Sequence, residues 1–313
     1  MTSIAFLFPG QGSQAVGMGK GFYTTSAGAK AVFEEANEAL GFNLARLMFE
    51  GPEADLTLTT NTQPAVLTAS VAAAAACAER GLEPTLAAGH SLGEYSALVV
   101  ARALRFADAV RIVRKRGALM QDAVPVGTGA MAAIMGLDLS EVERVCVDAA
   151  KGEVVGVANV NSPQQIVIAG HRAAVERAAA LASDRGGKKS VLLPVSAPFH
   201  CALMAPAAVE LARELDGVSV ADPAIPVVRN VDAGVTRTAA EVKTFLLQQV
   251  ASPVRWTDCV LRLAAEGAST FVEVGPGRVL TGLLRRIVDG VRGLSIEDPT
   301  GLGKALAVIE GRG

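Results

Sequence analysis

Short runs of apolar residues alternate along this chain with longer segments in which apolar residues recur every three or four positions. The runs Ile4 to Phe8 and Thr270 to Val274 each end at a turn of glycine and proline, which is typical of buried strands. Helical spacing marks residues 27–40, 64–80 and 106–121. Strands that alternate with helices in this way predict a layered α/β fold.

The middle of the chain has a different order of elements. Four apolar runs predict strands and two amphipathic segments predict helices: Gly129 to Gly136, Val154 to Val160, Gln165 to Ala169 and Ser190 to Pro194 for the strands, Ser140 to Ala150 and Ala173 to Ser183 for the helices. Ser140 is the predicted N-cap of its helix, and Glu143 completes a capping box. The order β-α-β-β-α-β is that of a ferredoxin-like unit. We therefore predict a large domain, residues 1–127 and 198–313, interrupted by a ferredoxin-like subdomain at 128–197.

Composition narrows the classes of partner. Half of the 313 residues are hydrophobic and 19% are charged, which supplies a buried core and excludes disorder as the main state. The 29 Lys and Arg residues nearly balance the 31 Asp and Glu residues, and aromatic residues are 4% of the chain. We therefore expect no nucleic-acid partner, because such partners need a basic surface and often a platform of stacking rings; a local basic patch within the neutral total is the alternative.

The spacing of the cysteines indicates whether the protein holds a metal ion or disulfide bonds, and in which compartment it works. The four cysteines form no C-x-x-C pair, so we predict neither a metal site nor a disulfide framework, and reduced thiols favour a cytoplasmic location.

Residues 56–78 carry no charge, but their first half is polar and Pro64 interrupts it. We therefore expect a core helix that starts near Pro64, and no membrane partner. The first strand lacks the basic flank of a signal peptide. The last residues, Ile309 to Arg312, have the sequence of a protease-cleavage linker, and native sequence is an equal alternative. We assign no function to them.

The segment Gly89-His90-Ser91-Leu92-Gly93 fits the pattern G-x-S-x-G. A short predicted strand, Leu86 to Ala88, precedes it, and a predicted helix, Glu94 to Val100, follows. A sharp turn from strand to helix lifts a serine hydroxyl above the sheet, and the helix N-terminus offers backbone N–H groups to a developing oxyanion. The pattern also occurs in structural Gly-Ser turns, but its position between strand and helix favours Ser91 as a nucleophile.

Three histidines are candidates for the general base. The side chain of His90 should point away from Ser91 on a tight turn, and His171 opens a predicted helix, which is a natural capping position. His200 follows the last strand of the inserted unit, and sites in open α/β sheets form at such strand ends. We therefore predict His200 as the base; the alternative is a structural histidine at the domain junction.

An arginine occupies the apolar face of a predicted helix. Residues at helical spacing within 106–121 define that face: Ala109, Ile112, Val113 and Met120. Arg116 falls on the same face, and a buried guanidinium needs a partner because desolvation of its charge is costly. Two partners remain open: a protein carboxylate in a structural salt bridge, or a substrate carboxylate held bidentately.

The loop Gly10-Gln11-Gly12 follows the first strand, as a phosphate-binding loop would. It lacks the third glycine of a dinucleotide fingerprint and the Lys-Ser/Thr of a P-loop, so we reject both nucleotide-binding hypotheses. A loop at the carboxyl end of a strand can instead direct a glutamine amide or a backbone N–H towards the serine turn.

Eight short motifs follow one another along the chain: Phe8-Pro9-Gly10-Gln11-Gly12-Ser13-Gln14, Thr62-Gln63-Pro64-Ala65, Gly89-His90-Ser91-Leu92-Gly93-Glu94-Tyr95, Arg116-Gly117, Asn161-Ser162-Pro163, Phe199-His200, Ser252-Pro253-Val254-Arg255-Trp256 and Glu273-Val274-Gly275-Pro276-Gly277. In this order they resemble the malonyl-CoA:acyl carrier protein transacylases of fatty-acid synthesis, from end to end except for the last few residues. The resemblance implies an α/β-hydrolase-like large domain with an inserted ferredoxin-like small domain, in agreement with the order of elements above.

The resemblance also implies a catalytic site. Ser91 is then the nucleophile and His200 the base of a dyad, and the backbone carbonyl of Gln249 orients the imidazole. Backbone N–H groups of Gln11 and Leu92 form the implied oxyanion hole. The reaction is ping-pong: the malonyl group passes from malonyl-CoA to the serine and then to the phosphopantetheine thiol of acyl carrier protein.

The implied acyl pocket places Arg116 on the malonyl carboxylate, beside Phe199, Met120, Gln63 and Asn161. A bulky ring at Phe199 would crowd a 2-methyl substituent, and plain packing is the alternative. The resemblance implies no bound cofactor, because malonyl-CoA is a substrate and phosphopantetheine belongs to the acceptor.

We expect a monomer that docks its acidic carrier protein transiently. Basic side chains favour such docking, and the local clusters are Lys188 and Lys189 with Arg185, and Arg278 with Arg285 and Arg286. One residue departs from the family pattern: Arg102 stands where glycine is usual after the serine helix. A left-handed backbone there would cost about 1–2 kcal/mol.

Two other classes compete with this hypothesis. A serine hydrolase would use the same turn, normally with an Asp or Glu between Ser and His in chain order, but it gives Arg116 no role. A non-catalytic subunit would keep the fold, but intact Ser91, His200 and Arg116 argue against it. The sequence does not separate fatty-acid, polyketide and malonate-decarboxylase carrier proteins as acceptors.

Overall fold

Two sheets organise the protein in the computed structural model, which describes residues 3–311. The strands are, in chain order, β1 (Ile4–Phe8), β2 (Leu86–Gly89), β3 (Gly129–Met135), β4 (Val155–Ser162), β5 (Gln165–His171), β6 (Lys189–Leu192), β7 (Val227–Val228), β8 (Val235–Thr236), β9 (Thr270–Val274) and β10 (Arg292–Ile296). Arg312, at the end of the linker-like segment, lies outside the described residues.

The larger sheet has the order β10-β9-β1-β2-β7-β8, and its neighbours are parallel except for the pair β7 and β8. The smaller sheet has the order β4-β5-β3-β6 and is antiparallel throughout. The prediction of an α/β fold is confirmed: a mainly parallel sheet is combined with a small antiparallel one.

Helices cover both sheets. In chain order they are α1 (Lys20–Thr25), α2 (Ala27–Leu40), α3 (Leu44–Glu50), α4 (Glu53–Thr57), α5 (Thr59–Ala78), α6 (Gly93–Val100), α7 (Phe106–Asp122), α8 (Leu139–Ala150), α9 (Arg172–Asp184), α10 (Ala205–Asp216), α11 (Ala239–Ala251), α12 (Trp256–Ala265), α13 (Val279–Leu284) and α14 (Pro299–Ile309). Within the described part of the chain, no helix combines the length and the apolarity that a membrane crossing requires.

Helix α5 lies at the centre of the large domain, against α2, α6 and α7. The prediction that it starts near Pro64 is wrong, because the helix begins at Thr59 and includes the proline. Its first turn is polar, with Thr59 and Thr62 buried, and Thr62 Oγ1 donates to the Leu56 carbonyl at 2.6 Å. Such tertiary contacts offset the backbone hydrogen bond that a proline inside a helix removes. The polar turn therefore becomes available to the site.

Helix α7 approaches the start of α5 closely because it carries a glycine at the contact. A Cβ on Gly117 would lie 2.7 Å from the Thr59 carbonyl oxygen. The residue before this glycine is Arg116, and the close approach sets its side chain beside Gln63.

The N-cap of α8 is Asp138 rather than the predicted Ser140. The Asp138 carboxylate accepts from the Glu141 backbone N–H at 2.8 Å and from the Ser140 hydroxyl at 2.9 Å. An anion at a helix N-terminus is favoured by the helix dipole, so the aspartate occupies the position in preference to the serine.

One face of the small sheet packs against the helices α8 and α9, and the other face packs against the large domain. Ile134 and Ile168 pack with α8 and α9, whereas Met131 and Val167 belong to the core shared with the large domain. Strand β4 is also tied to the segment before α12, where the Val160 N–H donates to the Val254 carbonyl at 2.9 Å. The end of β4 is thereby fixed above the serine turn.

Candidate active site

Ser91 lies in a strained turn between β2, which ends at Gly89, and α6, which begins at Gly93. Its φ is 51°, in the left-handed region that residues other than glycine seldom adopt. A Cβ on Gly89 would lie 1.8 Å from the carbonyl carbon of Gly93, and one on Gly93 would lie 2.1 Å from the Phe8 oxygen. The turn therefore closes only with glycine at both positions, as the pattern G-x-S-x-G predicts.

Asn230 braces this turn and was not predicted as a site residue. It is fully buried two residues after β7, its Oδ1 accepts from the Ser91 N–H at 2.7 Å, and its Nδ2 donates to the Gly89 carbonyl at 2.8 Å. One amide thus binds both sides of the strained residue. Such over-determination is what allows an unfavourable φ to persist.

His200 faces the serine. Its Nε2 lies 2.6 Å from Ser91 Oγ, and its Nδ1 lies 2.9 Å from the carbonyl oxygen of Gln249 in the last turn of α11. A carbonyl can only accept, so Nδ1 carries the proton and Nε2 accepts from the hydroxyl. Burial, together with the charge of Arg116, lowers the pKa of His200 to about 3, so the imidazole is neutral at physiological pH. The φ of His200 is 60°, a second strained position.

Arg116 is 2% exposed and points at the same hydroxyl. Its Nη1 donates to Gln63 Oε1 at 2.8 Å, and its Nη2 donates to Gln249 Oε1 at 2.9 Å and to Ser91 Oγ at 3.1 Å. Within residues 3–311 the guanidinium has no ion pair with a carboxylate, and its Nε has no hydrogen-bond partner. The open alternative of a structural salt bridge is therefore not what the structure shows.

The two residues of the implied oxyanion hole lie on adjacent loops. Leu92 follows the serine at the start of α6 and is buried, whereas Gln11 is exposed in the turn after β1. The Gln11 side chain donates to Thr59 Oγ1 at 3.1 Å, which turns the amide towards α5. A Cβ on Gly10 would lie 2.5 Å from the His90 oxygen, so the two loops are in close contact.

The implied acyl-pocket residues come from four separate elements. Phe199 and Met120 are buried, and Gln63 is held by Arg116. Asn161, in β4 of the small sheet, lies with its Oδ1 2.9 Å from Nε2 of His90. This contact links the two sheets directly beside the nucleophile.

The other two histidines have structural partners, although the His171 side chain makes no capping hydrogen bond to the helix that follows it. The ring of His90 lies 5.5 Å from that of Trp256, and burial lowers the pKa of its imidazole. His171 precedes α9 and its Nδ1 accepts from the Val154 N–H at 2.9 Å. Of the three histidines, only His200 contacts the serine hydroxyl.

Residues 5–303 match the family model described as "Acyl transferase domain". The chain belongs to this acyl transferase family. Among curated relatives, it is 50% identical over 307 residues to the malonyl CoA-acyl carrier protein transacylase of Salmonella typhimurium, covering 98% of this chain and 99% of that protein. It is 47% identical over 311 residues to that of Bacillus subtilis, covering 99% and 98%. The resemblance stated from the motifs is confirmed.

Solved acyl transferase structures share the whole fold. An acyl carrier protein S-malonyltransferase from Vibrio cholerae superposes with a TM-score of 0.95 at 49% identity, covering 97% of this chain and all of that one. A malonyl-transacylase solved in complex with a type II PKS acyl-carrier protein has a TM-score of 0.95 at 46% identity, covering 98% of this chain and 100% of that chain.

The basic side chains in the two predicted docking clusters differ in whether they are already paired with other residues. Arg278 is ion-paired with Glu297, with 2.6 Å between Nη2 and Oε1, and Arg286 Nη1 donates to Gln165 Oε1 at 3.3 Å. Arg285 is exposed on the same helix end. Lys188 and Lys189 are exposed at the start of β6, whereas Arg185 beside them is ion-paired with Glu141 and Asp148.

Two residues of the site were missed because their signals are weak in the sequence. Asn230 follows a strand of two residues, which is too short for a periodic pattern. Glu94 stands next to the motif glycine, and its carboxylate accepts from the Asn230 N–H at 2.9 Å. The only available signal was a charged residue in an otherwise apolar helix segment, the same signal that identified Arg116.

Proposed function

We propose that this acyltransferase moves a malonyl group from malonyl-CoA to the phosphopantetheine thiol of an acyl carrier protein. The observation that carries the proposal is a buried arginine, Arg116, which has no carboxylate partner in the part of the chain that the structure describes and whose Nη2 lies 3.1 Å from Ser91 Oγ. A carboxylate on an acyl group attached to the serine would supply the missing partner, and the free Nε leaves donor capacity for it. The names of the relatives support the same substrate and acceptor.

The first half-reaction would acylate Ser91. His200 Nε2 accepts the hydroxyl proton as the oxygen attacks the thioester carbonyl, and the carbonyl of Gln249 stabilises the imidazolium that forms. Backbone N–H groups of Gln11 and Leu92 would hold the oxyanion. The thioester bond then breaks, and His200 returns the proton to the departing CoA sulfur.

The second half-reaction would run the same steps with a different thiol. His200 takes the proton of the phosphopantetheine thiol, the sulfur attacks the malonyl ester, and the serine oxygen recovers the proton. Thiol must compete with water at this stage. Arg116 is 2% exposed, so water has little access to its guanidinium. A malonyl carboxylate bound there would occupy the space beside the ester and restrict the approach of water further.

A serine hydrolase is less well supported by the geometry. In such enzymes an Asp or Glu carboxylate orients the histidine, but here Nδ1 of His200 meets a backbone carbonyl. Arg116 would also have no task in the hydrolysis of an uncharged ester.

The proposal extends to the finer architecture. We assign 1–127 and 198–313 to an α/β-hydrolase-like catalytic domain and 128–197 to a ferredoxin-like subdomain, supported by the strand orders of the two sheets. The carrier protein would dock on Lys188 and Lys189 or on the cluster of Arg278, Arg285 and Arg286. A monomeric state and a cytoplasmic location stay predictions; four buried free cysteines are consistent with a reducing compartment.

Intact-mass spectrometry tests the proposal in two additions. Mixing with malonyl-CoA should add the mass of one malonyl group, and later addition of carrier protein bearing phosphopantetheine should remove it and transfer it to the carrier. Ser91→Ala should show no adduct. An adduct on that variant would refute the nucleophile assignment, and loss of the adduct to water before any carrier is added would favour the hydrolase.

A further inference from the structure

A buried carboxylate, Glu94, lies behind the serine turn and has no part in the half-reactions above. Its side chain is 3% exposed, and its Oε2 accepts from the Asn230 N–H at 2.9 Å and from Gln249 Nε2 at 2.8 Å. A buried carboxylate is costly to keep ionised unless donors and a cation compensate it. The donors are the Asn230 N–H and the Gln249 side chain, and the cation is Arg116, which lies on the other side of Gln249.

Gln249 connects this carboxylate to Arg116. Its Nε2 donates to Glu94, while its Oε1 accepts from Nη2 of Arg116 at 2.9 Å. One amide group therefore separates the buried anion from the buried cation. Because Arg116 has no ion pair within the described residues, Glu94 supplies part of its compensation before any substrate binds.

Among the described residues, the other ionisable groups that face Glu94 are two arginines and four groups whose pKa is moved away from neutrality by burial. They are Tyr95, Arg116, Cys259 and Arg229, with His90 and His200 on the site side. Burial raises the pKa of Tyr95 to about 12 and that of the Cys259 thiol well above its ordinary value. Arg229 is ion-paired with two other carboxylates, and burial lowers the pKa of both histidines. Burial raises the pKa of Glu94 to about 7, so its charge does change there.

We propose that Glu94 and the malonyl carboxylate share Arg116, so that Glu94 takes up a proton from solvent when the malonyl ester forms. The inference rests on the proposed function, because it requires the malonyl carboxylate on Arg116. A second anion on the guanidinium removes compensation from Glu94 and disfavours its ionised form. Acylation itself balances without this proton: the ester bond to Ser91 forms, the thioester breaks, and the serine proton leaves on the CoA thiol.

The proton uptake has a definite sign. An equilibrium that consumes a proton is favoured at low pH, so the malonyl-enzyme should become less stable as the pH rises through neutrality. An acetyl group carries no charge and leaves Glu94 unchanged. The acylation constant for malonyl divided by that for acetyl should therefore fall by about three- to tenfold between about pH 6 and about pH 8. Ionisation of the CoA thiol cancels in this quotient.

The experiment measures both constants by intact mass, at fixed ratios of acyl-CoA to CoA across this pH range. The wild-type quotient should fall with pH, and the quotient of Glu94→Gln should be flat, because glutamine keeps an acceptor for both donors but cannot titrate. The matched control is Glu273→Gln. Glu273 is also a fully buried carboxylate with a raised pKa, but it accepts from backbone N–H groups of α13, and its variant should keep the wild-type slope.

A second measurement needs no variant. Stoichiometric wild-type enzyme, acylated in weak buffer near pH 7 with an indicator dye, should take up a fraction of a proton with malonyl-CoA and none with acetyl-CoA. Equal uptake with both, or a slope that survives in Glu94→Gln, would overturn the inference. If no malonyl-enzyme forms, or if Arg116→Ala leaves its formation unchanged, the proposed function fails instead.

Discussion

Replacement of Arg116 by alanine separates the substrate-binding role of this residue from a structural one. The side chain is 2% exposed and donates to Gln63, Gln249 and Ser91. Truncation leaves two buried amide oxygens without a donor, at about 1–3 kcal/mol each, which lowers the stability of the fold whatever the acyl group. It also removes the one cation that, within residues 3–311, contacts the serine hydroxyl, and this loss affects a malonyl group but not an uncharged acetyl group.

The loss specific to malonyl is expected to be larger than the shared loss. Removal of one partner of a buried charge pair costs about 2–5 kcal/mol, which corresponds to about 30-fold to about 4,000-fold in kcat/KM. The assay measures acylation by malonyl-CoA and by acetyl-CoA on the same preparation of Arg116→Ala, so misfolded protein cancels in the ratio. Malonyl preference should fall by at least the lower figure.

The control variant is Arg111→Ala on the same helix. Arg111 is exposed and donates to the Ala39 carbonyl, far from the serine contacts, so its removal should leave the malonyl preference unchanged. Equal losses of malonyl and acetyl transfer in Arg116→Ala would refute the reasoning, because they would make the arginine a structural residue.

Four further outcomes are expected. The pKa of His200 is lowered to about 3, so the base stays unprotonated and kcat/KM for acetyl-CoA should show no acidic loss between about pH 5 and about pH 8; a limb near pH 6 would contradict this. Asn230→Ala should lower kcat, and it should lower the free energy of unfolding measured by urea titration by about 1–3 kcal/mol. Asn230→Asp keeps the oxygen that accepts from the Ser91 N–H, so it should recover part of kcat. Arg102 has a φ of 62°, so Arg102→Gly should raise the free energy of unfolding by about 1 kcal/mol and Arg102→Ala should not. Charge reversal at Arg285 and Arg286 should weaken transfer to carrier protein and leave acylation by malonyl-CoA unchanged; unaltered carrier kinetics would discard that docking face.

Local signals predicted much of the catalytic turn. A strand, two glycines around a serine and a helix follow one another within residues 86–100, so the turn at Ser91 depends on neighbours in the chain. The position of Arg116 also follows from a local rule, because helical periodicity places it on the buried face of α7. What periodicity left open was the partner of the guanidinium.

Errors arose where a group outside the predicted helix decided where that helix begins. Pro64 is a helix-start signal in isolation, yet α5 begins five residues earlier because its polar first turn finds buried partners in other elements. The N-cap of α8 moved from Ser140 to Asp138 because a carboxylate two residues away competes for the same N–H groups. Neither outcome follows from a single residue's preference.

The sequence by itself determined the alternation of strands and helices, the serine turn and the burial of one arginine, because each depends on spacing within one element. Only the tertiary structure decided which groups meet. Asn230 reaches Ser91 across 139 positions of the chain and Gln249 reaches Glu94 across 155. It also showed that Arg116 donates to two side-chain amides and to the serine hydroxyl, and that the carboxylate of Glu94 lies beyond one of these amides. Hydrogen bonds of this kind act over about 3 Å, so they depend on how separate elements pack and leave no periodic trace in the chain.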